Sequence, residues 1–275
     1  MSGSLPAEVP VPPAAAAPGI EKVRITEHEQ LADGIWRLLL QAPRCAATIL
    51  PGQFVHLRIT RADDHVLRRP FSVHRVRGRC IEILYQVVGR GTGLLSALPV
   101  GEERMDIVGP LGKGWQIPTH AKSLLLVGGG LGAAPLGMLA EQLASQGRHV
   151  EVALGGASAD RLIALELFRR LADRVEVATD DGSLGHQGFV TVLAERMLAE
   201  AGFDAVFCCG PEPMQRLVAR HAKTLGVPCQ ASLERLMACG IGACFSCIVP
   251  TRSGQMRACV DGPVFDAEEV CWGDS

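Results

Sequence analysis

The sequence predicts an α/β multi-domain protein. It has an N-terminal antiparallel β-barrel, a Rossmann-like parallel-sheet nucleotide domain and a small C-terminal domain built around cysteines. Three observations carry this. From Val23 to about Trp115, short β-rich runs are separated by turn residues at the spacing of a small barrel. From about Lys122, strands and helices alternate, the pattern of a parallel sheet covered by helices on both faces. From about Ser232, the chain is glycine-rich and too small for an apolar core of its own, which a metal centre would offset. The divisions fall at a leader over 1–20, a barrel over 21–118, a nucleotide domain over 119–231 and a cysteine domain over 232–275.

Composition agrees with this division and excludes several function classes. A chain of 275 residues is long for one domain, and 48% hydrophobic with 20% charged residues suffices for a buried core. The formal net charge is −2 with no basic stripe, which argues against nucleic acid as a partner. No apolar run reaches transmembrane length, so no membrane is expected. The opening "MSGSLPAEVPVPPAAAAPGI" lacks a basic n-region and reads as a disordered leader rather than a signal peptide. Ten cysteines without export point to a reducing, cytoplasmic setting, where clustered thiols bind metal more often than they form disulfides.

The barrel strands are "IWRLLLQA", "QFVHLRIT", "RRPFSVHRV" and "CIEILYQVV". At the end of one of them, "RRPFSV" offers Arg69 as a bidentate cation for a phosphate, Pro70 to fix the backbone and Ser72 as a hydrogen-bonding group. "YQVVGRGTGLLS" follows, with Gly89, Gly91 and Thr92 making a turn and helix start able to hold a second phosphate contact. Either element alone is commonplace on an edge strand. The pair, placed before a nucleotide domain, points to a flavin.

The nucleotide domain reads in order as strand "SLLLVGGG", helix "AAPLGMLAEQLASQG", strand "HVEVALGG", helix "DRLIALELFRRLA", strand "RVEVATDDG", helix "FVTVLAERMLAEAG", strand "DAVFCCG" and helix "PEPMQRLVARHAKTLG". The turn "VGGGLGAAPL", with Gly128 and Gly130, sits where a pyrophosphate meets helix amides, although Ala133 stands at the last fingerprint position. No acidic residue is obvious about twenty positions on. Ser158, Asp160 and Arg161 are the polar groups after the second strand, and Arg161 suits either a 2′-phosphate or a helix start. The reading leans to NAD.

Cys239, Cys244, Cys247 and Cys259 leave gaps of four, two and eleven residues. The first two gaps are the plant-type [2Fe–2S] spacing. Three close thiolates on a glycine-bearing loop can wrap a cluster, and a fourth from a following hairpin closes the shell. Gly240 and Gly242 let the loop curl. A structural zinc site also uses four cysteines and stays open as the alternative, though zinc ribbons show two paired knuckles. Cys45, Cys80, Cys229 and Cys271 are scattered and read as ordinary small residues.

Taken together, "LRRPFS", "YQVVGRGTGLLS", "GPLGKGW", "LLLVGGGLGAAPL", "TDDGSLGHQGFVT", "CCGPEPM" and "ERLMACGIGACFSC…ACVDGPVF" resemble the electron-transfer subunit of class 1B dihydroorotate dehydrogenase, a branch of the ferredoxin-reductase superfamily. The resemblance runs from Lys22 to about Val270. It implies a flavin barrel, a pyridine-nucleotide domain and a C-terminal [2Fe–2S] domain. It implies a partner too: an FMN-containing dihydroorotate dehydrogenase catalytic subunit, in a heterotetramer. Electrons would pass from that subunit through [2Fe–2S] and FAD to NAD⁺, in pyrimidine biosynthesis. Matched by motif, Arg69, Pro70, Phe71, Ser72, Leu84, Tyr85, Gln86, Gly91 and Thr92 would hold FAD, and the four cysteines the cluster. Cys209 would sit beside the nicotinamide; the plainer reading makes it a core thiol at a strand end. Leu236 stands about where the family often has an arginine, with Arg235 beside it. Two other functions fit parts of the pattern: a flavin/iron–sulfur subunit of an NAD(P)H–ferredoxin reductase or hydrogenase, and a non-catalytic zinc module on a degenerate reductase fold.

Overall fold

The computed structural model describes residues 17–59 and 67–273. Most of the expected leader lies outside these residues, and the first strand, β1 (Gly19–Ala32), already begins at Gly19. It is followed by β2 (Ile35–Gln41), a short helix α1 (Pro43–Thr48), β3 (Phe54–Arg58), β4 (Arg69–Ser72), β5 (Arg75–Arg77), β6 (Cys80–Gln86), α2 (Arg90–Ser96) and β7 (Met105–Leu111). The strands pair antiparallel in the order β4-β3-β7-β1-β2-β6-β5. The two edge strands, β4 and β5, are joined by only Val73 and His74, so the sheet must curl until its edges meet. The backbone shows the closure. Val73 N–H donates to Gln53 at 3.4 Å, and His74 N–H donates to Glu82 at 2.8 Å on the opposite edge.

This closure explains why "RRPFSVHRV" is two strands and not the single one expected: the chain changes sheet edge at Val73–His74. β1 and β7 complete the barrel without a strong signal of their own. β1 carries Lys22, Arg24 and Glu29 on exposed positions and Glu21 and Glu27 on half-buried ones, which dilutes its apolar alternation. Inward positions such as Val23, Ile25, Leu38, Leu40, Val55, Leu57, Ile81, Ile83 and Ile107 form the barrel core.

The second half continues with β8 (Ser123–Gly129), a 3-10 turn over Gly130–Leu136, α3 (Gly137–Ser145), β9 (His149–Gly156), α4 (Leu165–Leu171), β10 (Arg174–Thr179), β11 (His186–Gln187), α5 (Val190–Glu200), β12 (Ala205–Cys209), α6 (Glu212–Thr224) and β13 (Cys229–Ser232). The sheet order β11-β10-β9-β8-β12-β13 is parallel and reverses at β8, which makes the carboxyl end of β8 the switch point. β8 is apolar on both faces, as a central parallel strand must be. Leu125 and Val127 face one core layer, with α5 and α6; Leu124 and Leu126 face the other, with α3 and α4.

Two expected helices come out shorter. The one after β8 starts as a 3-10 turn because Pro135 lies inside it and lacks the N–H that an α-helical turn needs. The one after β9 is confined to α4: Ala164 takes a left-handed φ of 64°, turning the preceding Ile163 into a seam with Ile35, Leu84 and Ala134.

Past β13 come the hairpin β14 (Ile248–Thr251) and β15 (Gly254–Arg257), and then β16 (Val264–Asp266). β16 pairs antiparallel with β13, matching Val264 to Ser232, Phe265 to Ala231 and Asp266 to Gln230. The cysteine segment is therefore an excursion between two neighbouring strands of the nucleotide sheet. Its buried residues Cys247, Val249, Ala258 and Cys259 join the same core layer as Leu125 and Val127. Among the described residues, no helix is long and apolar enough to cross a membrane.

The barrel and the nucleotide sheet are pinned by Arg75 with Glu141 at 2.7 Å and by His74, whose Nδ1 lies 2.8 Å from the Ala134 carbonyl. A carbonyl only accepts, so Nδ1 carries the proton in this bond. Burial holds the His74 pKa down to about 4, below its ordinary 6.5. The unfolded chain thus binds more protons between these values, and stability falls as pH drops from 6.5 through 4. The loss amounts to roughly 3 kcal/mol below the lower value. We expect His74→Asn to keep the bond to Ala134 and to remove most of this pH dependence. Denaturant unfolding of both proteins across that range checks it; parallel stability curves would show that His74 does not set the slope.

Candidate functional site

A cleft of 760 Å³ opens at the carboxyl end of the parallel sheet. Its floor is made where strands end: Gly129 and Gly130 after β8, Gly155 and Gly156 after β9, Asp180 after β10, Gly210 and Pro211 after β12, and Leu233 to Arg235 after β13. Gln86, from the barrel strand β6, closes the near side. Backbone ends rather than side chains dominate this surface, which suits a nucleotide lying across the strand ends.

The sequence-chosen residues divide within this frame. Gly130 lines the cleft, with a left-handed φ of 55°. Gly128 does not; it lies inside β8 and packs against Leu154 and Ala133. Arg161 does not line the cleft either, since its guanidinium stands 3.7 Å from Asp160 and 3.9 Å from Asp33. The acidic group sought after the second strand comes instead after the third, as Asp180. Glu212 at the start of α6 pairs with Arg235 at 2.9 Å, and both line the cleft.

Cys209 ends β12, opposite Ser232 on β13. Its thiol is buried, and burial together with the Glu234 charge pushes its pKa up to about 12, so it stays protonated near neutral pH. Its carbonyl lies hard under the glycine turn; a Cβ on Gly132 would fall 2.2 Å from it. The next residue, Gly210, lines the cleft. The side chain itself sits one layer below the surface.

On the barrel, the two motifs thought to bind a flavin do meet. The Arg69 guanidinium lies so close over Gly91 that an added Cβ there would stand 2.5 Å from Nε. Arg69, Pro70, Phe71 and Ser72 form the edge strand β4, each half-buried. Arg69 also donates to the Leu67 carbonyl. The Thr92 hydroxyl accepts from Val88 N–H at 2.9 Å and donates to the Gly89 carbonyl at 3.1 Å. That hydroxyl builds the turn. Along β6 the side chains alternate. Gln86 reaches the cleft, Leu84 enters the seam with Ala134, and Tyr85 points into the barrel. There its hydroxyl meets His28 Nε2 at 2.9 Å, and burial raises its pKa.

The four thiols stand as two pairs, Cys239 with Cys244 and Cys247 with Cys259. The hairpin makes the second pair. Its register sets Ile248 opposite Arg257, and Ala258 N–H donates to the Cys247 carbonyl at 2.9 Å, which places Cys259 beside Cys247. The eleven-residue gap is thus the length of a hairpin. The loop making the first pair bends through left-handed residues Gly240, Gly242 and Phe245. Arg257 ties it down, donating to the Gly242 carbonyl at 3.1 Å and to Asp261 at 3.1 Å, with its guanidinium 5.4 Å from the Phe245 ring centre. Cys239 is bound to the turn as well: Ala243 N–H points at its sulfur from 3.3 Å.

The two pairs differ in character. Cys244 is exposed, and hydrogen bonds from Ser246 and Cys239 pull its pKa down to about 6. Cys259 is buried, and burial pushes its pKa up to about 12. Among the described residues, no three His, Cys, Asp or Glu side chains converge as a single ion requires. Two thiol pairs on one loop fit a binuclear [2Fe–2S] centre with one pair per iron, and fit a single tetrahedral zinc less well.

Sequence reasoning missed Asp180, Glu212 and Arg235 as cleft residues. Asp180 lies in the motif "TDDGSLGHQGFVT", in a turn-like string after an apolar strand that marks no residue as the one facing the cleft. Glu212 and Arg235 are 23 residues apart and become partners only through the sheet order.

Comparison with known proteins locates these parts. Residues 234–271 match the iron-sulfur cluster binding domain of dihydroorotate dehydrogenase B. The chain is 39% identical over 261 residues to the dihydroorotate dehydrogenase B (NAD(+)) electron transfer subunit of Geobacillus thermodenitrificans, covering 92% of this chain and 98% of that one. It is 37% identical over 249 residues to the protein of the same name from Desulforamulus reducens, covering 88% and 94%. Among solved structures, a chain of the NADH-dependent reduced ferredoxin-NADP oxidoreductase superposes with a TM-score of 0.84 at 32% identity, covering 92% of this chain and 91% of that one. A ferredoxin reductase of carbazole 1,9a-dioxygenase, 21% identical with a TM-score of 0.66, shares the fold.

The two halves of the site lose different groups when altered. Cys244→Ser is expected to lose most of the iron and keep FAD, because a hydroxyl replaces thiolate poorly on iron. Arg69→Ala is expected to keep iron and release FAD on gel filtration, since it removes a charge-assisted contact of about 1.5–3 kcal/mol. Iron and flavin assays on both variants decide it. Full iron in the first would remove Cys244 from the ligand set, and full flavin in the second would remove Arg69 from the FAD site.

Proposed function

Since the chain belongs to the family of dihydroorotate dehydrogenase B (NAD(+)) electron transfer subunits, we propose that it carries electrons from a dihydroorotate-oxidising catalytic subunit to NAD⁺, in pyrimidine biosynthesis. The observation that carries this reading is spatial. Two thiol pairs suited to a [2Fe–2S] cluster sit on an excursion of the same sheet whose strand ends form the nucleotide cleft, and Gln86, from the second of the barrel's two flavin motifs, lines that cleft.

Cys239, Cys244, Cys247 and Cys259 would hold the cluster. Arg69 would hold a phosphate of FAD, with Pro70, Phe71 and Ser72 shaping the strand beside it and the amides near Gly91 and Thr92 offered to the pyrophosphate. Leu84 and Tyr85 act on it through the β6 backbone, because their side chains face the seam and the barrel core. When bound, the flavin supplies the exchange between single-electron and hydride chemistry. The chain itself supplies placement. Gly130 and the open strand ends admit the dinucleotide, with Gly128 shaping the turn from behind. Asp180 disfavours a 2′-phosphate by charge, in keeping with NAD.

Cys209 lies just beneath the cleft wall at Gly210, where an uncharged thiol would pack behind the nicotinamide. Cys209→Ala should slow flavin reduction at saturating NADH more than it weakens NADH binding. Stopped-flow reduction measures both, and a wild-type limiting rate would make Cys209 a core thiol only.

The partner docks on the cluster loop. Leu236, Ile241 and Phe245 are exposed there, at 89%, 56% and 60%, and half-buried Ile248 lies beside them. Apolar residues so exposed next to a redox loop suit a surface covered in a complex. The partner is a catalytic subunit bearing FMN, assembled with this chain as a heterotetramer in the cytoplasm. The resemblance to the NADH-dependent reduced ferredoxin-NADP oxidoreductase chain favours the same parts in a different complex as the competing reading. Reconstitution separates them. The isolated chain should pass electrons from NADH to artificial acceptors without oxidising dihydroorotate. Adding the catalytic subunit should restore NAD⁺-linked dihydroorotate oxidation. Failure to form that complex, or dihydroorotate oxidation by the chain alone, would overturn the assignment.

A further inference from the structure

His56 stands on β3, between Val55 and Leu57 of the barrel core. Strand alternation therefore turns His56 to the outside of the barrel, on the face shared with Phe54. Phe54 packs in the same layer as Cys247 and Cys259. An outward residue is ordinarily wet, yet His56 is 0% exposed. The cluster loop covers it: a Cβ built on Gly240 would lie 2.5 Å from its Nδ1 and 3.0 Å from its Cγ.

A neutral imidazole carries one N–H donor and one acceptor. Among the described residues, neither nitrogen has a hydrogen-bond partner in place. Two backbone groups face the ring, those of Cys239 and Arg68. The first belongs to the first cysteine of the cluster loop. The second immediately precedes Arg69 on the flavin strand, and β3 itself pairs with β4 with His56 opposite Pro70. One buried imidazole thus separates the backbone at the flavin motif from the backbone at the first thiol.

We propose that His56 is the positioning residue that sets the cluster loop on the flavin barrel, with its ring N–H held for the Cys239 carbonyl. This rests on the cofactor reading given above. The glycine at position 240 follows from it: with a left-handed φ of 70° and the imidazole against its Cα, no side chain fits there. The leftover donor, costly to bury unpaired, is what makes histidine more than a filler here. A small shift of the loop completes the bond, and the same shift sets the separation of the two cofactor sites.

The experiment uses the full chain purified with flavin and iron. In His56→Leu, which keeps volume and removes the donor, FAD and iron contents should stay at wild-type levels. The reduced-cluster paramagnetic resonance signal should shift, and cluster reduction by NADH should slow roughly ten- to a hundredfold, the range seen when a reacting group is misplaced by about 1 Å. His56→Asn, whose amide can take the place of Nδ1–H, should recover most of the rate and the wild-type signal. A wild-type rate and signal in His56→Leu would overturn the proposal, and so would equal defects in both variants. Should His56→Leu fail to assemble, iron retention in Gly240→Ala, His56→Ala and their double variant decides the contact. Loss of iron in Gly240→Ala that His56→Ala relieves supports it; additive losses overturn it. A wild-type chain that binds neither flavin nor iron would overturn the functional reading beneath it instead.

Discussion

The pairing of β13 with β16 is the constraint on which the site depends. The residues between these strands include all four clustered cysteines, and by themselves they have little apolar mass. They hold a shape because the chain leaves the nucleotide sheet at Ser232 and re-enters it beside the same residue at Val264. Leu233 N–H donates to the Pro263 carbonyl at 2.9 Å, closing the neck of the excursion. Lys113 N–H donates to the Gly262 carbonyl at 2.5 Å, which ties the neck to the segment just past β7 of the barrel. A loop closed at both ends loses less conformational freedom on ordering than one tethered at a single end. The buried thiols Cys247 and Cys259 then extend an existing core layer rather than start a new one.

From that neck the rest of the geometry follows. β13 delivers Leu233, Glu234 and Arg235 to the cleft, and the cysteine loop begins directly after them. The Glu212–Arg235 pair links the start of α6 to this strand at the rim of the cleft. On the other side, barrel closure at Val73–His74 brings β4 and β6 together, and with them Arg69, the Gly91 turn and Gln86. The seam of Ile35, Leu84, Ala134 and Ile163, with the His74–Ala134 bond beside it, keeps the barrel facing the strand ends. Flavin motif, dinucleotide cleft and thiol loop are thereby held by one continuous set of backbone pairings and buried contacts.

The thiol pairs illustrate how much environment can do with one residue type. Cys244 is exposed and surrounded by donors; Cys259, fifteen positions along, is enclosed by apolar neighbours. Both belong to the same short loop system. Cys209 repeats the buried case at the end of β12, where a protonated thiol contributes shape without charge. Hydrogen bonds from Ser246 and Cys239 set the first, and burial sets the other two.

How much of this was legible from the sequence depended on the range of the signal. The fold class was legible, because strand-helix alternation, glycine turns and apolar period are local and recur along the chain. The cysteine loop was legible, because three of its thiols are close in sequence and the fourth is one hairpin away. The motifs around Arg69 and Gly91 were legible as a pair, and they do meet. Side-chain facing along β6 was not: nothing local tells that Gln86 reaches the cleft while Tyr85 turns to His28. The break of "RRPFSVHRV" was hidden for the same reason, since it answers to barrel closure and not to any residue in the run. Asp180 and Arg235 enter the cleft because β10 and β13 end at the same sheet edge, and His56 is buried because a loop from residue 240 lies over it. Local chemistry, spacing and periodicity were therefore set by the sequence alone. Contacts across the barrel, the sheet edge and the neck were decided by the tertiary structure, because they pair residues whose only relation is the path of the folded chain.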